Sequence, residues 1–324
     1  MSASALPLTR CYEERPSTLA RDVHAGLTGS GAKELSPTLF YDARGSELFD
    51  RICEQPEYYP ARAERALLDA EAAGIVARVP ATELVELGCG PRRPTRTLLD
   101  AMVRVGRLER YLPIDVFAGA VEACVAALAA DHASVPVHGV VGDFELHLVG
   151  LPVAGARLVA MMGNVIGNYP PRARRRLLRR VARALGRRDR LLIGVDLVQD
   201  QADMLAAYDD AAGLTARFNR NGLRVLNREL DADFCLANFE HVAAYEPGSE
   251  WVELRLRARE RCRVRLAALD LEVSIAAGEE IRTKVSAKFT RSRVEDDLAA
   301  AGLTLESWHT GPDRRFALAL AACA

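Results

Sequence analysis

Between residues 83 and 196, short apolar runs of strand length alternate with longer stretches of helical periodicity. Residues 83–87 lead into Gly88-Cys89-Gly90. Residues 111–116 carry Asp115 near their end. Residues 137–141 run into Gly142-Asp143-Phe144. Residues 158–162 and 191–195 complete the set, the last followed by Asp196. The intervening segments 62–79, 95–103, 118–130 and 172–185 repeat apolar residues at helical spacing. Strands separated by helices must pair in parallel, because the chain returns to the same end of the sheet each time. The pattern therefore predicts an α/β sheet.

The rhythm breaks from about residue 200 to 283. A helix is expected over 204–212, and strands over 251–257 and 263–266. This reads as an inserted α+β domain. A helix at 294–301 and strands at 303–308 and 316–320 then resume the first pattern, and a final hairpin could close the sheet edge. The first thirty-odd residues are mostly polar and end in the cluster Ala25-Gly26-Leu27-Thr28-Gly29-Ser30-Gly31, which reads as an arm or early loop. The expected division is 63–198 with 288–324 for the sheet domain, and 1–62 with 199–287 for the second.

Composition excludes several function classes. Lys and Arg total 43 against 44 Asp and Glu, so no global field draws the chain to nucleic acid or membrane. The arginine run at 172–180 falls on several faces of one helix and reads as a solvated outer face. No apolar run approaches the length of a membrane span, and the first residues lack a secretory pattern. Seven irregularly spaced cysteines without a CxxC pair argue against a disulfide framework or a structural zinc site. The six histidines show no paired-ligand spacing, so no metal is expected. A monomer in the reducing cytoplasm, acting on a small molecule, is the expectation.

The glycines at the end of the first strand let backbone approach a ligand closely. A third glycine of the dinucleotide fingerprint is missing, since Arg92, Arg93 and Pro94 follow, which disfavours a pyrophosphate cradle. The Glu86-Leu87-Gly88-Cys89-Gly90 form resembles the first motif of class I methyltransferases. Asp115 can accept from both ribose hydroxyls, and Asp143 with Phe144 can meet the adenine amino group and ring. Gly88, Gly90, Thr95, Asp115, Asp143 and Phe144 are thus the expected contacts of S-adenosylmethionine (SAM). Cys89 reads as a small packed residue at the turn, with no His/Asp arrangement to make it a nucleophile.

The blocks FYDARGSELFDRICEQPEYYPAR, ELGCG, GDFE, GNVIGNYPPRAR, AYDDAAGLTARFNRN, NRELDADF, FEH and VSAKF resemble, in order and along nearly the whole chain, the histidine-specific Nα-methyltransferases of the ergothioneine route. The resemblance implies a class I, Rossmann-like methyltransferase domain with an inserted α+β substrate-binding domain. It implies SAM as cofactor and an amino-acid betaine as product. It maps the amino-acid anchor onto Tyr58, Asn168 and Tyr208, with Tyr41 nearby. Asn168 can orient the α-amino group and touch the carboxylate. Tyr58 can hold the amine and face the methylated cation. Tyr58 and Asn168 are the expected catalytic residues.

In that family a glutamate and, two positions later, a serine read the imidazole. Here Ser286 matches but Lys284 takes the glutamate position, and Leu254 replaces a methionine that packs on the ring. Residues 284 and 286 share one face of a strand. A cation in place of an anion favours an acidic or acceptor-rich side chain over an imidazolium. Alternatively Lys284 turns aside to a carboxylate such as Glu279 or Glu280, or donates to an unprotonated imidazole nitrogen. Two rivals of other classes remain: a silent metabolite-binding protein on the same fold, and a nucleic-acid methyltransferase, which predicts salt-dependent RNA or DNA binding.

Overall fold

The computed structural model describes residues 8–11, 16–90, 95–151 and 153–324. In chain order its strands are β1 (Leu8–Arg10), β2 (Glu83–Leu87), β3 (Arg110–Asp115), β4 (Gly139–Val141), β5 (Arg157–Met161), β6 (Arg190–Asp196), β7 (Phe239–Glu246), β8 (Trp251–Ala258), β9 (Cys262–Leu266), β10 (Leu271–Ile275), β11 (Glu280–Ala287), β12 (Leu303–Thr310) and β13 (Phe316–Cys323). They fall in two compact units. One comprises residues 1–12, 60–198 and 287–324, and the other 13–59 and 199–286.

The first unit is built on one sheet of order β1-β4-β3-β2-β5-β6-β13-β12. The strands from β1 through β6 pair in parallel, and β13 returns antiparallel beside β6 with β12 outside it. Strands β2 and β5 are buried at every residue. Helices cover such strands on both faces. The helices Tyr59–Arg78, Arg96–Arg104, Ala118–Asp131 and Pro171–Ala184 supply that cover. The strand order changes direction between β2 and β5, which places ligands at the carboxyl ends of these strands. This is a class I methyltransferase-type α/β architecture.

The end of β6 is tied to the segment that re-enters this unit. Phe289 N–H donates to the Asp196 carbonyl at 2.8 Å, and the Lys288 ammonium meets the Asp196 carboxylate at 2.6 Å. Both side chains of that pair are fully buried. Removing either one would leave an uncompensated buried charge.

The second unit holds a three-stranded sheet of order β11-β8-β7, a β9–β10 hairpin, and the helices Pro16–Thr28, Ala43–Cys53, Gln201–Ala206 and Leu214–Glu229. It is the α+β insertion that the break in rhythm predicts.

Three expectations are corrected. The polar start is not an arm: Pro16–Thr28 is a helix whose Val23 and Leu27 are buried. Leu19, Val23 and Leu27 form a stripe at four-residue spacing, too narrow to stand out from the polar residues around it. Residues 8–11 do not join the second unit. β1 instead extends the first unit's sheet beside β4. The helix expected over 204–212 stops at Ala206. The Asp210 carboxylate accepts from Leu214 N at 2.8 Å and Thr215 N at 2.7 Å, so this acid caps the next helix and turns the chain.

Candidate active site

At the end of β2 the chain turns through two left-handed glycines, Gly88 at φ +78° and Gly90 at φ +46°. A side chain would strain either position. Among the described residues, a Cβ on Gly90 would meet no heavy atom within 4 Å. Asp115, ending β3, ties this turn to its own loop: Oδ2 accepts from Gly90 N at 3.2 Å and Oδ1 from Phe117 N at 2.9 Å. After β4, Asp143 Oδ1 accepts from Glu145 N at 2.8 Å and caps the short helix Phe144–His147. The Phe144 ring comes within 3.9 Å of where a Cβ on Gly88 would stand. Thr95 is fully buried, and its hydroxyl finds no hydrogen-bond partner among the described residues. Arg92, Arg93 and Pro94 lie outside the described residues.

These features fit SAM: left-handed backbone at Gly90, a carboxylate at the β3 end for paired hydroxyls, an acid and ring after β4, and an orphaned buried hydroxyl. Cys89 is fully buried, and its hydrogen bond with Cys124, with burial, pushes its thiol well up. It is not a thiolate nucleophile. Glu86, behind the turn, takes the Tyr111 hydroxyl's hydrogen bond.

The end of β5 carries a second unusual turn, with Gly163 at φ +69° and Asn164 at φ +53°. Glu64 Oε1 accepts from Gly163 N at 2.7 Å. The Asn164 amide donates to the Ala287 carbonyl and accepts from Asp196 N, both at 3.2 Å. The turn opens a short 3-10 helix, Val165–Asn168, which ends on half-buried Asn168. Burial pushes the Glu64 carboxyl up to about 7, with Glu86 and Asp196 adding to the effect against the Gly163 hydrogen bond. Gly194 on β6 makes room for it, since a Cβ there would stand 2.4 Å from Glu64 Oε1.

The second unit brings Tyr41, Tyr58, Tyr208, Lys284 and Ser286 into one connected cluster. The Tyr208 hydroxyl and Ser286 Oγ are 2.7 Å apart. The rings of Tyr58 and Tyr208 meet edge to face at 5.9 Å, Phe49 and Tyr58 at 6.0 Å, and Tyr41 and Phe49 at 5.7 Å. The Lys284 ammonium donates to the Tyr41 hydroxyl at 3.2 Å and sits 5.8 Å from the Tyr41 ring and 5.7 Å from that of Phe49. Only 9% of Lys284 is exposed. Leu254 is buried on β8, its carbonyl accepting from Thr283 Oγ1 at 2.8 Å. The acids named as partners for Lys284 bond other cations. Glu279 pairs with Lys33, and Glu280 with Arg255 and Arg257.

Of the expected residues, the cofactor set and Asn168 thus lie in the first unit and the rest in the second. Sequence reasoning passed over Glu64, Asn164, Phe49 and His241. Asn164, Phe49 and His241 lie inside blocks that carry the resemblance, but none was assigned a role. Among the described residues no three or more His, Cys, Asp or Glu are grouped to hold a metal ion, and no helix is long and apolar enough to cross a membrane.

The profile of the histidine-specific, SAM-dependent methyltransferase family matches residues 19–323. The histidine N-alpha-methyltransferase of Mycolicibacterium smegmatis is 50% identical over 303 residues, 94% of this chain and 94% of that one. The histidine N-alpha-methyltransferase of Mycobacterium tuberculosis is 47% identical, again over 94% of each. The N-methyltransferase fsqC of Aspergillus fumigatus is 28% identical over 88% of this chain and 78% of that one. The chain belongs to the SAM-dependent, histidine-specific methyltransferase family.

Proposed function

We propose that the protein transfers methyl groups from SAM to the α-amino nitrogen of free histidine or an amino acid of closely similar shape. The observation that carries this reading is identity of 50% and 47%, over 94% of each chain, with two histidine N-alpha-methyltransferases. When bound, SAM supplies a methyl group already made electrophilic by its positive sulfur. The chain's own residues then have to bind, orient and exclude water. Asp115 takes the ribose hydroxyls, Asp143 and Phe144 the adenine, and Thr95 with the Gly88–Gly90 turn the amino-acid end. Asn168 orients the substrate's α-amino group through its carbonyl oxygen. Tyr208 donates to the carboxylate, and Tyr58 faces the amine and its methylated product.

Balanced charge supports a small-molecule substrate over nucleic acid, as does the use made of the arginine-rich helix. Arg174 and Arg175 bond Asp297, Arg179 the Ala300 carbonyl and Arg180 the Glu145 carbonyl. The test is release of S-adenosylhomocysteine across a panel of free amino acids, with mass spectrometry counting the methyl groups. Histidine is expected to give the highest kcat/KM. Turnover of none of them would overturn the proposal.

Lys284 favours a refinement. A nearly buried ammonium beside the Tyr41 hydroxyl can donate to an acceptor on the substrate's side chain. A neutral imidazole nitrogen serves, and so does the carboxylate of an acidic or modified amino acid. An imidazolium does not. Lys284→Glu is expected to raise kcat/KM for histidine about tenfold at a pH where the imidazole is charged, the worth of one charge-assisted hydrogen bond. It should abolish any activity on aspartate or glutamate. An unchanged ratio between these substrates would remove Lys284 from the pocket's selectivity.

A further inference from the structure

His241, on β7, lies outside every role assigned above, yet its ring is held on both sides. Asn219 Nδ2 lies 2.9 Å from His241 Nδ1, and His241 Nε2 lies 2.9 Å from the Tyr208 carbonyl. Asn219 Nδ2 also donates to the Arg255 carbonyl at 3.0 Å, and Asn219 Oδ1 faces Thr283 Oγ1 at 2.6 Å. Reversing the amide would set its oxygen against the Arg255 carbonyl, acceptor to acceptor. The amide orientation is therefore fixed, and with it the imidazole tautomer: Nδ1 accepts, and the proton sits on Nε2, which donates to Tyr208. Asn219 is 1% exposed and the His241 side chain 3%, so water cannot substitute for either partner.

The chain of bonds runs from Thr283 through Asn219 and His241 to the Tyr208 backbone. Tyr208 then reaches back to the same strand through its hydroxyl, at Ser286. Thr283 and Ser286 both lie on β11. Tyr208 follows the helix Gln201–Ala206 in a turn, its N–H donating to the Leu205 carbonyl at 2.9 Å. Its carbonyl, its ring against Tyr58 and its hydroxyl are held by three separate elements.

We propose that His241 is a positioning residue which, as the neutral Nε2–H imidazole, locks the Tyr208 backbone and so aims the phenol at the substrate carboxylate. The inference rests on the reading of Tyr208 as a substrate contact. Protonation of His241 would place an Nδ1–H against the Asn219 NH2, donor to donor, and loosen the clamp. Burial holds the imidazole below its ordinary value, with Arg220 acting the same way, while the Tyr208 carbonyl, Asp209 and Asp210 act in the opposite sense. Asp209 Oδ1 is 3.9 Å from Nε2. Across β7–β8, His241 faces Leu256. Arg255 and Arg257 alternate to the other face of the sheet, where they meet Glu280. The clamp is thus intact at neutral pH and lost in acid.

His241→Gln keeps an N–H donor for Tyr208 but cannot titrate, and His241→Leu removes the donor. The Leu variant is expected to raise KM for the amino acid about tenfold with kcat changed much less, the worth of one lost buried hydrogen bond. The Gln variant should recover most of that KM. Dividing the wild-type pH profile of kcat/KM by that of the Gln variant cancels the substrate's own titrations. The quotient should fall on the acid side with a slope of one proton. A flat quotient, or equal losses in kcat and KM for Leu, would overturn the proposal. Nitrogen shifts of imidazole-labelled protein, compared with the Gln variant to assign His241, read the tautomer without turnover. A proton on Nδ1 would overturn the clamp, whereas Nε2–H with no amino acid turned over would overturn only the substrate reading.

Discussion

An Asp115→Ala protein is expected to bind SAM and S-adenosylhomocysteine about 100-fold more weakly than the wild type. The figure follows from two hydrogen bonds to an ionised carboxylate at about 1.5 kcal/mol each. The carboxylate also accepts from Gly90 N and Phe117 N and so sets the approach of the glycine turn to the β3 end. Asp115→Asn keeps one acceptor oxygen and should lose about tenfold. Calorimetric titration with S-adenosylhomocysteine reads both values, and thermal unfolding of the free proteins separates loss of contact from loss of fold. An alanine variant that melts like the wild type and binds within about threefold of it would remove Asp115 from the cofactor site.

The parallel core was legible because strand-length segments alternate with helical ones. The ends of β2 and β5 fall within one residue of expectation, although each strand buries charged side chains, Glu83 and Glu86 on β2 and Arg157 on β5. Asp115 and the glycine turn were singled out by their strand-end positions, and the fold joins them through the Gly90 N–H to Asp115 hydrogen bond. The helix Leu214–Glu229 was opaque. It buries Asn219, Asn221 and Gly222, residues of low helical propensity that are held there by tertiary bonds. Asn221 donates to Asp42, far upstream in the chain. Distance along the chain also hid the supports of the site. Gly163 lies 99 residues from Glu64, and Tyr208 lies 33 from His241. No local pattern encodes such pairs. Lys284 was visible as a departure from a resemblance, but its company of Tyr41 and Phe49 came only from the fold.

Glu64 shows how far such a hidden support can govern the molecule. Its carboxyl is pushed up to about 7 in the folded protein, first by burial and then by Glu86 and Asp196. In the unfolded chain it titrates near the ordinary 4.5. The folded state therefore holds the proton more tightly. The group's contribution to stability is fully present below the unfolded value and is lost as pH rises through the folded one. From pH 5 to pH 8 the loss should come to about 2 kcal/mol or a little more. Glu64→Gln stays neutral throughout, and its amide oxygen can still accept from Gly163 N. The variant should lead the wild type by less than about 1 kcal/mol near pH 5 and by about 3 kcal/mol at pH 8 in urea unfolding. A stability difference that does not change between the two pH values would show that Glu64 is already ionised, or already neutral, across the range. Retaining a carboxyl that costs stability at neutral pH makes sense if its oxygen is needed where it stands. It fixes the left-handed turn at Gly163 and Asn164 from which Asn168 is presented.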